Sequence, residues 1–257
     1  MKFRPCIDIH NGQVKQIVGG TLSDNNNFAH ENFVSGYDAG FYAELYKNDG
    51  VKGGHIILLN PVNSEFYDKN VELAVKALRV YPMGLQLGGG IDDSNALFFL
   101  ESGASHVIVT SFVFKDGKIN FENLYKIFKT VGKDRLVLDL SCRKKGDDYY
   151  IVTDRWQKFT DVKLDSFTLS RLSAYCDEFL IHAVDVEGKA SGIETGLVEI
   201  LASHKDNKIT YAGGVGSFED LKLLKDLSGG NIDVTIGSAL DLFGGEMEYK
   251  KVLEFCK

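Results

Sequence analysis

Several features are missing from this sequence of 257 residues, and each absence removes a class of protein. Its four cysteines, Cys6, Cys142, Cys176 and Cys256, form no C-x-x-C pair, and no histidine stands beside them at metal spacing. This argues against a disulfide framework or a zinc site and leaves small, reduced, structural thiols. No metal is expected. No apolar run approaches the roughly 20 residues that span a bilayer, and Met1-Lys2-Phe3-Arg4-Pro5 leads straight into an apolar run without the pattern of a signal peptide. A cytoplasmic location is the resulting expectation. There is also no long basic run. A formal charge of −7 and a pI near 5.4 argue against a nucleic-acid or anionic-membrane surface. Any anionic ligand must be held locally, by backbone N–H groups and a few cations.

What is present is a glycine turn that occurs twice. Leu85-Gln86-Leu87-Gly88-Gly89-Gly90-Ile91-Asp92-Asp93-Ser94 reads as a buried strand, a tight turn and a helix start. Residues without side chains let a ligand lie against the backbone, and a following helix dipole favours an anion. Ile209-Thr210-Tyr211-Ala212-Gly213-Gly214-Val215-Gly216-Ser217 repeats the arrangement. Further echoes keep the same order: Val107 to Ser111 matches Val234 to Ser238, and Cys6-Ile7-Asp8-Ile9 matches Leu136 to Leu140. The chain therefore reads as two related halves, about residues 1–130 and 131–257. Units this long are not solenoid repeats.

Apolar strand-like runs alternate with helical stripes eight times, and the runs are continuous rather than alternating. This indicates a parallel sheet covered by helices. At 28.5 kDa and 44% apolar content, one domain over residues 1–257 closing into a (β/α)8 TIM barrel built from two half-barrels is the best account. An open doubly wound sheet is the rival, but no G-x-G-x-x-G opens the first helix. Residues 21–35 read as a mobile polar loop, helix three covers about Ser94 to Ser102, and residues 144–161 read as a small hairpin inserted after strand five. That insertion holds the only tryptophan, Trp156.

Asp8 and Asp139 occupy matching places on strands one and five, which lie opposite each other in an eight-membered ring. A carboxylate on an apolar strand is costly unless paired or used, and one base with one acid is the minimum set for moving a proton along a sugar. Gly89-Gly90 with Ser111, and Gly213-Gly214 with Gly237-Ser238, would form two anion sites on opposite sides of the same mouth. The substrate would then carry a phosphate at each end.

Together, Cys-Ile-Asp-Ile-His-Asn-Gly around Asp8, Gly88-Gly89-Gly90-Ile91, Asp139, Ala212-Gly213-Gly214-Val215 and Ile236-Gly237-Ser238-Ala239-Leu240 resemble the barrel isomerases of histidine biosynthesis. These act on phosphoribosyl-formimino-AICAR-phosphate (ProFAR). The likeness covers essentially the whole chain. Val14 to Gly20, Asp139 to Lys144 and Phe179 to Gly188 look like the eukaryotic-type branch. The resemblance implies a cofactor-free Amadori rearrangement by a monomer, from an aminoaldose to an aminoketose. Asp139 would be the acid that opens the ribose ring and Asp8 the base that takes the proton from C2. Trp156 would stack on the imidazole carboxamide, and Arg143 would reach a phosphate or hold the closed loop. Gly19, Gly20 and His55 join the substrate-binding set.

Departures from the bacterial pattern accompany the likeness. Where those relatives carry a Thr that assists the acid, Ala183-Val184-Asp185 stands, making Asp185 the candidate to orient groups near Asp139. Gln16 replaces a phosphate-facing Arg, and Leu58 an acidic residue. Two alternatives remain. The sister cyclase shares the barrel, the aspartates and the phosphate turns but carries a lysine in its opening motif, where Asp8 to Ile17 fits the isomerase better. A non-catalytic phosphoribosyl-binding barrel would need the glycine turns and have no use for two opposed carboxylates.

Overall fold

The apolar runs become the staves of a closed ring. In the computed structural model, which describes residues 1–18, 21, 30–154 and 156–257, β1 (Cys6–His10) turns back into β2 (Gln13–Ile17), which is followed by β3 (Glu31–Val34). Asn11 and Gly12 supply that turn at φ 50° and 74°, the backbone a two-residue hairpin requires. Next come α1 (Ala39–Asn48), β4 (Gly54–Leu58), α2 (Tyr67–Val80), β5 (Leu85–Gly88), α3 (Ala96–Glu101) and β6 (Val107–Val109). A short hairpin, β7 (Phe114–Lys115) and β8 (Lys118–Ile119), precedes α4 (Phe121–Val131) and β9 (Leu136–Asp139). Then β10 (Cys142–Lys145), β11 (Asp148–Thr153) and β12 (Lys158–Lys163) lead to α5 (Ser166–Leu172), β13 (Glu178–His182) and α6 (Thr195–Ala202). The chain closes with β14 (Lys208–Ala212), α7 (Phe218–Ser228), β15 (Ile232–Thr235) and α8 (Tyr249–Phe255).

Eight strands pair in the order β1-β4-β5-β6-β9-β13-β14-β15, all in parallel. A parallel bridge from Phe3 to Val234 joins the ends. Arg4 N–H donates to Val234 O at 2.8 Å, and Val234 N–H to Lys2 O at 2.9 Å. This is a (β/α)8 barrel in which β1 and β9 stand opposite. Ile7, Ile9, Ile56, Leu85, Leu87 and Leu138 are fully buried, as expected of strands between a packed interior and a helical coat. Helix signals operate locally: Ser217 and Asp220 form a capping box on α7, and Gly229 ends it in the left-handed conformation.

At the end where the strands begin, a buried polar plug fills the ring. Glu178 accepts from Thr210 Oγ1 at 2.6 Å and Gln86 Nε2 at 2.9 Å, while Arg4 pairs with Asp233 at 2.7 Å and lies 3.9 Å from Glu178.

Two expectations change. Within the stretch read as a polar loop, Glu31–Val34 is a strand, paired with β2 through Lys15 to Val34 and Gln16 to Phe33; residues 22–29 lie outside the described residues. The inserted hairpin is a three-stranded antiparallel sheet, β10-β11-β12. Helix three falls within its expected range, at Ala96–Glu101, after Asp92 makes a side-chain-closed turn with Ser94 and Asn95.

Candidate active site

The ring opens, at the end where its strands finish, into a cavity of about 340 Å³, a size suited to a small-molecule ligand. Asp8, His55, Gly89, Gly90, Ser111, Asp139, Trp156, Gly213, Gly214, Gly237 and Ser238 all line it. Gly19 and Gly20 lie outside the described residues. Arg143 and Asp185 do not join the lining. Arg143 Nε donates to Asp185 at 2.8 Å, and Lys144 N–H donates to the same carboxylate at 2.9 Å, so the two neutralise each other. Asp185 therefore does not orient Asp139, because the chain leaving β13 carries it toward β10 instead.

The glycine turns need glycine for packing as well as access. At Gly89, φ is +102° and a Cβ would sit 2.2 Å from Leu58 O; at Gly213, φ is +115° and a Cβ would sit 2.8 Å from Ala183 O. Of the two, only the Gly213 turn leads promptly into a helix, α7. Ser111 opens a 3₁₀ turn, Ser111–Val113. An anion placed at the first turn would therefore meet backbone and hydroxyl groups rather than a helix N-terminus. Among the described residues lining the cavity there is no Lys or Arg.

The two aspartates have opposite surroundings. Asp8 is half-buried on β1, and the only side-chain donor facing it among the described residues is Gln16 Nε2, a long 3.4 Å from Oδ2. Burial, then the negative charge of Glu187, push its carboxyl up to about 7 against a weaker pull from His182. Asp139 ends β9, and its Oδ1 accepts from Ser141 N–H at 2.8 Å and Ser141 Oγ at 2.6 Å. Burial alone would raise Asp139, but the His182 charge and these hydrogen bonds outweigh it and hold the carboxyl below its ordinary range.

His182, which the sequence alone does not single out, lies beside Asp139. Leu180 pairs with Asp139 in the sheet register, so His182, two residues on, faces the same interior. Its Nδ1 is 3.6 Å from Asp139 and 3.3 Å from Ser141 Oγ. Burial pulls the imidazole down, yet Asp139, Glu187 and Asp8 raise it to about 9. His55, from β4, lies 6.0 Å from His182 ring to ring; burial and that neighbouring cation push it down to about 3, so it is neutral. Trp156 donates from Nε1 to Ser141 Oγ at 3.0 Å and packs with Ile17 and Leu59. Glu187 was missed as well. It is buried with its carboxyl raised by desolvation, and its Oε2 has no hydrogen-bond partner among the described residues. Part of the signal that singled out Asp8 and Asp139, an ionisable residue at the mouth end of an apolar strand, is present at His182, but it has no counterpart at the end of His55-Ile56-Ile57-Leu58 in the other half.

Fold and site together define a barrel enzyme equipped for proton transfer, with one cavity bordered by opposed carboxylates and two glycine cradles. Residues 2–248 match the family described as Histidine biosynthesis protein, and the chain belongs to that family. It is 52% identical over 257 residues to the 1-(5-phosphoribosyl)-5-((5-phosphoribosylamino)methylideneamino)imidazole-4-carboxamide isomerase of Medicago truncatula, named as chloroplastic; the match covers 98% of this chain and 81% of the relative. Isomerases of the same name from Saccharomyces cerevisiae and Neurospora crassa are 47% and 45% identical over 253 and 248 residues. These matches cover 96% and 95% of this chain and 94% of each relative.

Proposed function

We propose that this chain is an isomerase of L-histidine biosynthesis, converting ProFAR, the compound in its relatives' name, to the ribulosyl isomer by an Amadori rearrangement. The observation that carries the reading is the placement of Asp8 and Asp139 on opposite strands of one cavity that both glycine turns border. The turns at Gly89-Gly90 with Ser111 and at Gly213-Gly214 with Gly237-Ser238 take the two phosphates through N–H and O–H donors. A proton delivered from Asp139 to the ribose ring oxygen breaks the C1–O bond and leaves a protonated Schiff base. Asp8, with a carboxyl near 7, is suited to remove the C2 proton at neutral pH. The electron pair left on C2 forms the enolamine, and return of the proton to C1 with loss of the C2 hydroxyl proton gives the ketose. Atoms and electrons balance within the substrate, so no cofactor or redox partner enters. Trp156 stacks on the imidazole carboxamide. Arg143, paired with Asp185, serves to fix the inserted sheet.

The halves 1–130 and 131–257 descend, on this reading, from one duplicated half-barrel within a single domain, since the acids and cradles recur in order and on opposite sides of the ring. We take the protein as a monomer in the cytoplasm. Among the described residues no helix is long and apolar enough to cross a membrane. The test is direct: purified protein should convert ProFAR to its ketose without ammonia or a glutaminase. Dependence on either would favour the sister cyclase, and tight binding without turnover would favour a phosphoribosyl-binding barrel.

A further inference from the structure

We propose that His182 is the positioning residue of the acid side of the site, holding the proton that Asp139 delivers to the ribose ring oxygen. This rests on the isomerase reading above. The starting point is a difficulty within it: Asp139 is assigned the acid's task, yet its surroundings are built for the carboxylate ion. Ser141 donates twice to Oδ1, from its amide and its hydroxyl. Trp156 Nε1–H donates to the same Ser141 Oγ, which leaves the hydroxyl hydrogen directed at Asp139. A carboxylate so held has no proton of its own to give.

The proton has a place beside it. His182 Nδ1 lies 3.6 Å from Asp139 Oδ1 and 3.3 Å from Ser141 Oγ, with the ring lining the cavity. The groups facing it come from every neighbouring element: Asp139 from β9, Asp8 from β1, Glu187 from the segment after β13, neutral His55 from β4, and Trp156 from the inserted sheet, its ring 5.6 Å away. Asp139, in direct reach of the ring, is the main group favouring the imidazolium, with smaller contributions from Glu187 and Asp8, consistent with its rise to about 9. In the forward direction the His182 proton passes to Asp139 and on to the ring oxygen as the C1–O bond breaks, leaving neutral His182. When the C2 carbonyl forms, the C2 hydroxyl proton returns by the same route and restores the imidazolium. Asp8 separately moves the C2 proton to C1, and the pair ends the cycle as it began.

The experiment follows turnover of ProFAR by the full chain from pH 5.5 to 10, alongside His182→Gln. Wild type should lose kcat as pH rises through about 9, where the imidazolium deprotonates. His182→Gln should lose about 100-fold in kcat at pH 7.5, with KM within a few-fold and no fall centred near 9. A His182→Gln variant that keeps its rate and the same alkaline fall overturns the proposal. Should that variant not fold, NMR titration of His182 in wild type and in Asp139→Asn decides. A wild-type titration near 9 that drops by more than one pH unit in Asp139→Asn supports it, and a wild-type value at or below the ordinary 6.5 overturns it. Wild type inert toward ProFAR removes the reaction itself and this role with it; active wild type with an unaffected His182→Gln removes the role alone.

Discussion

Two aspartates at equivalent points of the ring are made chemically different by what surrounds them. Asp8 faces Glu187 and has one long hydrogen bond, from Gln16, while Asp139 has Ser141 and a cation. The folded state therefore favours protonated Asp8, because burial raises its carboxyl from 3.8 to about 7. The linkage sign follows: keeping Asp8 ionised in the fold costs stability above pH 7, and the cost fades as pH falls toward 4. Asp8→Asn should accordingly raise stability at pH 8 by roughly 1–3 kcal/mol and by much less at pH 5, as read from urea denaturation at the two pH values. The same variant should bind a bisphosphate analogue within a few-fold of wild type while turnover disappears; full activity would refute the base assignment. In wild type, kcat/KM should climb as pH rises through about 7, because the base works only when ionised. These two acids were legible in the sequence because each interrupts an apolar strand and the interruption recurs. His182 was not, since nothing local reveals that its register with β9 aims it at Asp139.

The inserted sheet brings an aromatic side chain to the mouth at a local cost. Trp156 has φ +67°, a conformation that disfavours a bulky residue by about 1–3 kcal/mol. Its bond to Ser141 and its contact with Ile17 and Leu59 hold it there. As the chain has one tryptophan beside eleven tyrosines, fluorescence excited selectively at the indole, at the red edge of its absorption, reports on this element. Adding a bisphosphate ligand should change the emission of wild type, with a midpoint matching the inhibition constant; an unchanged spectrum at saturation would dissociate Trp156 from the ligand. Trp156→Phe, which keeps the ring but removes the donor to Ser141, should lower kcat about tenfold and leave the unfolding midpoint nearly unmoved, since one hydrogen bond contributes only about 1 kcal/mol. At this scale the barrel was readable, because buried parallel strands and amphipathic helices have distinct periods, and the eightfold alternation of apolar runs and helical stripes appears as eight parallel strands in ring order. The third strand of the insertion and Glu31–Val34 were harder to see. Both are polar edge strands such as E-N-F-V, whose pairing is decided by long-range neighbours rather than by composition.

A closed ring must satisfy whatever polar groups it seals inside, and here the two ends of the barrel do so for different purposes. The mouth keeps carboxylates poorly satisfied, as Glu187 Oε2 and the single long bond to Asp8 show. The opposite end ties Glu178, Gln86, Thr210, Arg4 and Asp233 into one network across β13, β5, β14, the chain before β1, and β15. Since Glu178 and His182 are the first and last residues of β13, the network lies about 13 Å down the barrel from His182 and the cavity. Stability and chemistry should therefore separate experimentally. Glu178→Ala strands the Thr210 hydroxyl and the Gln86 amide without an acceptor and leaves Arg4 with Asp233 alone, a loss of about 3 kcal/mol or more. Glu178→Gln keeps an acceptor oxygen for Thr210 and gives up the charge, so its loss should be about half that. Both variants, assayed well below their unfolding temperatures, should retain kcat and KM for ProFAR within about twofold. A Glu178→Ala protein as stable as wild type in urea would show that the plug is incidental to closure. One that is stable but catalytically impaired would mean that the two ends of the ring are coupled through the strands.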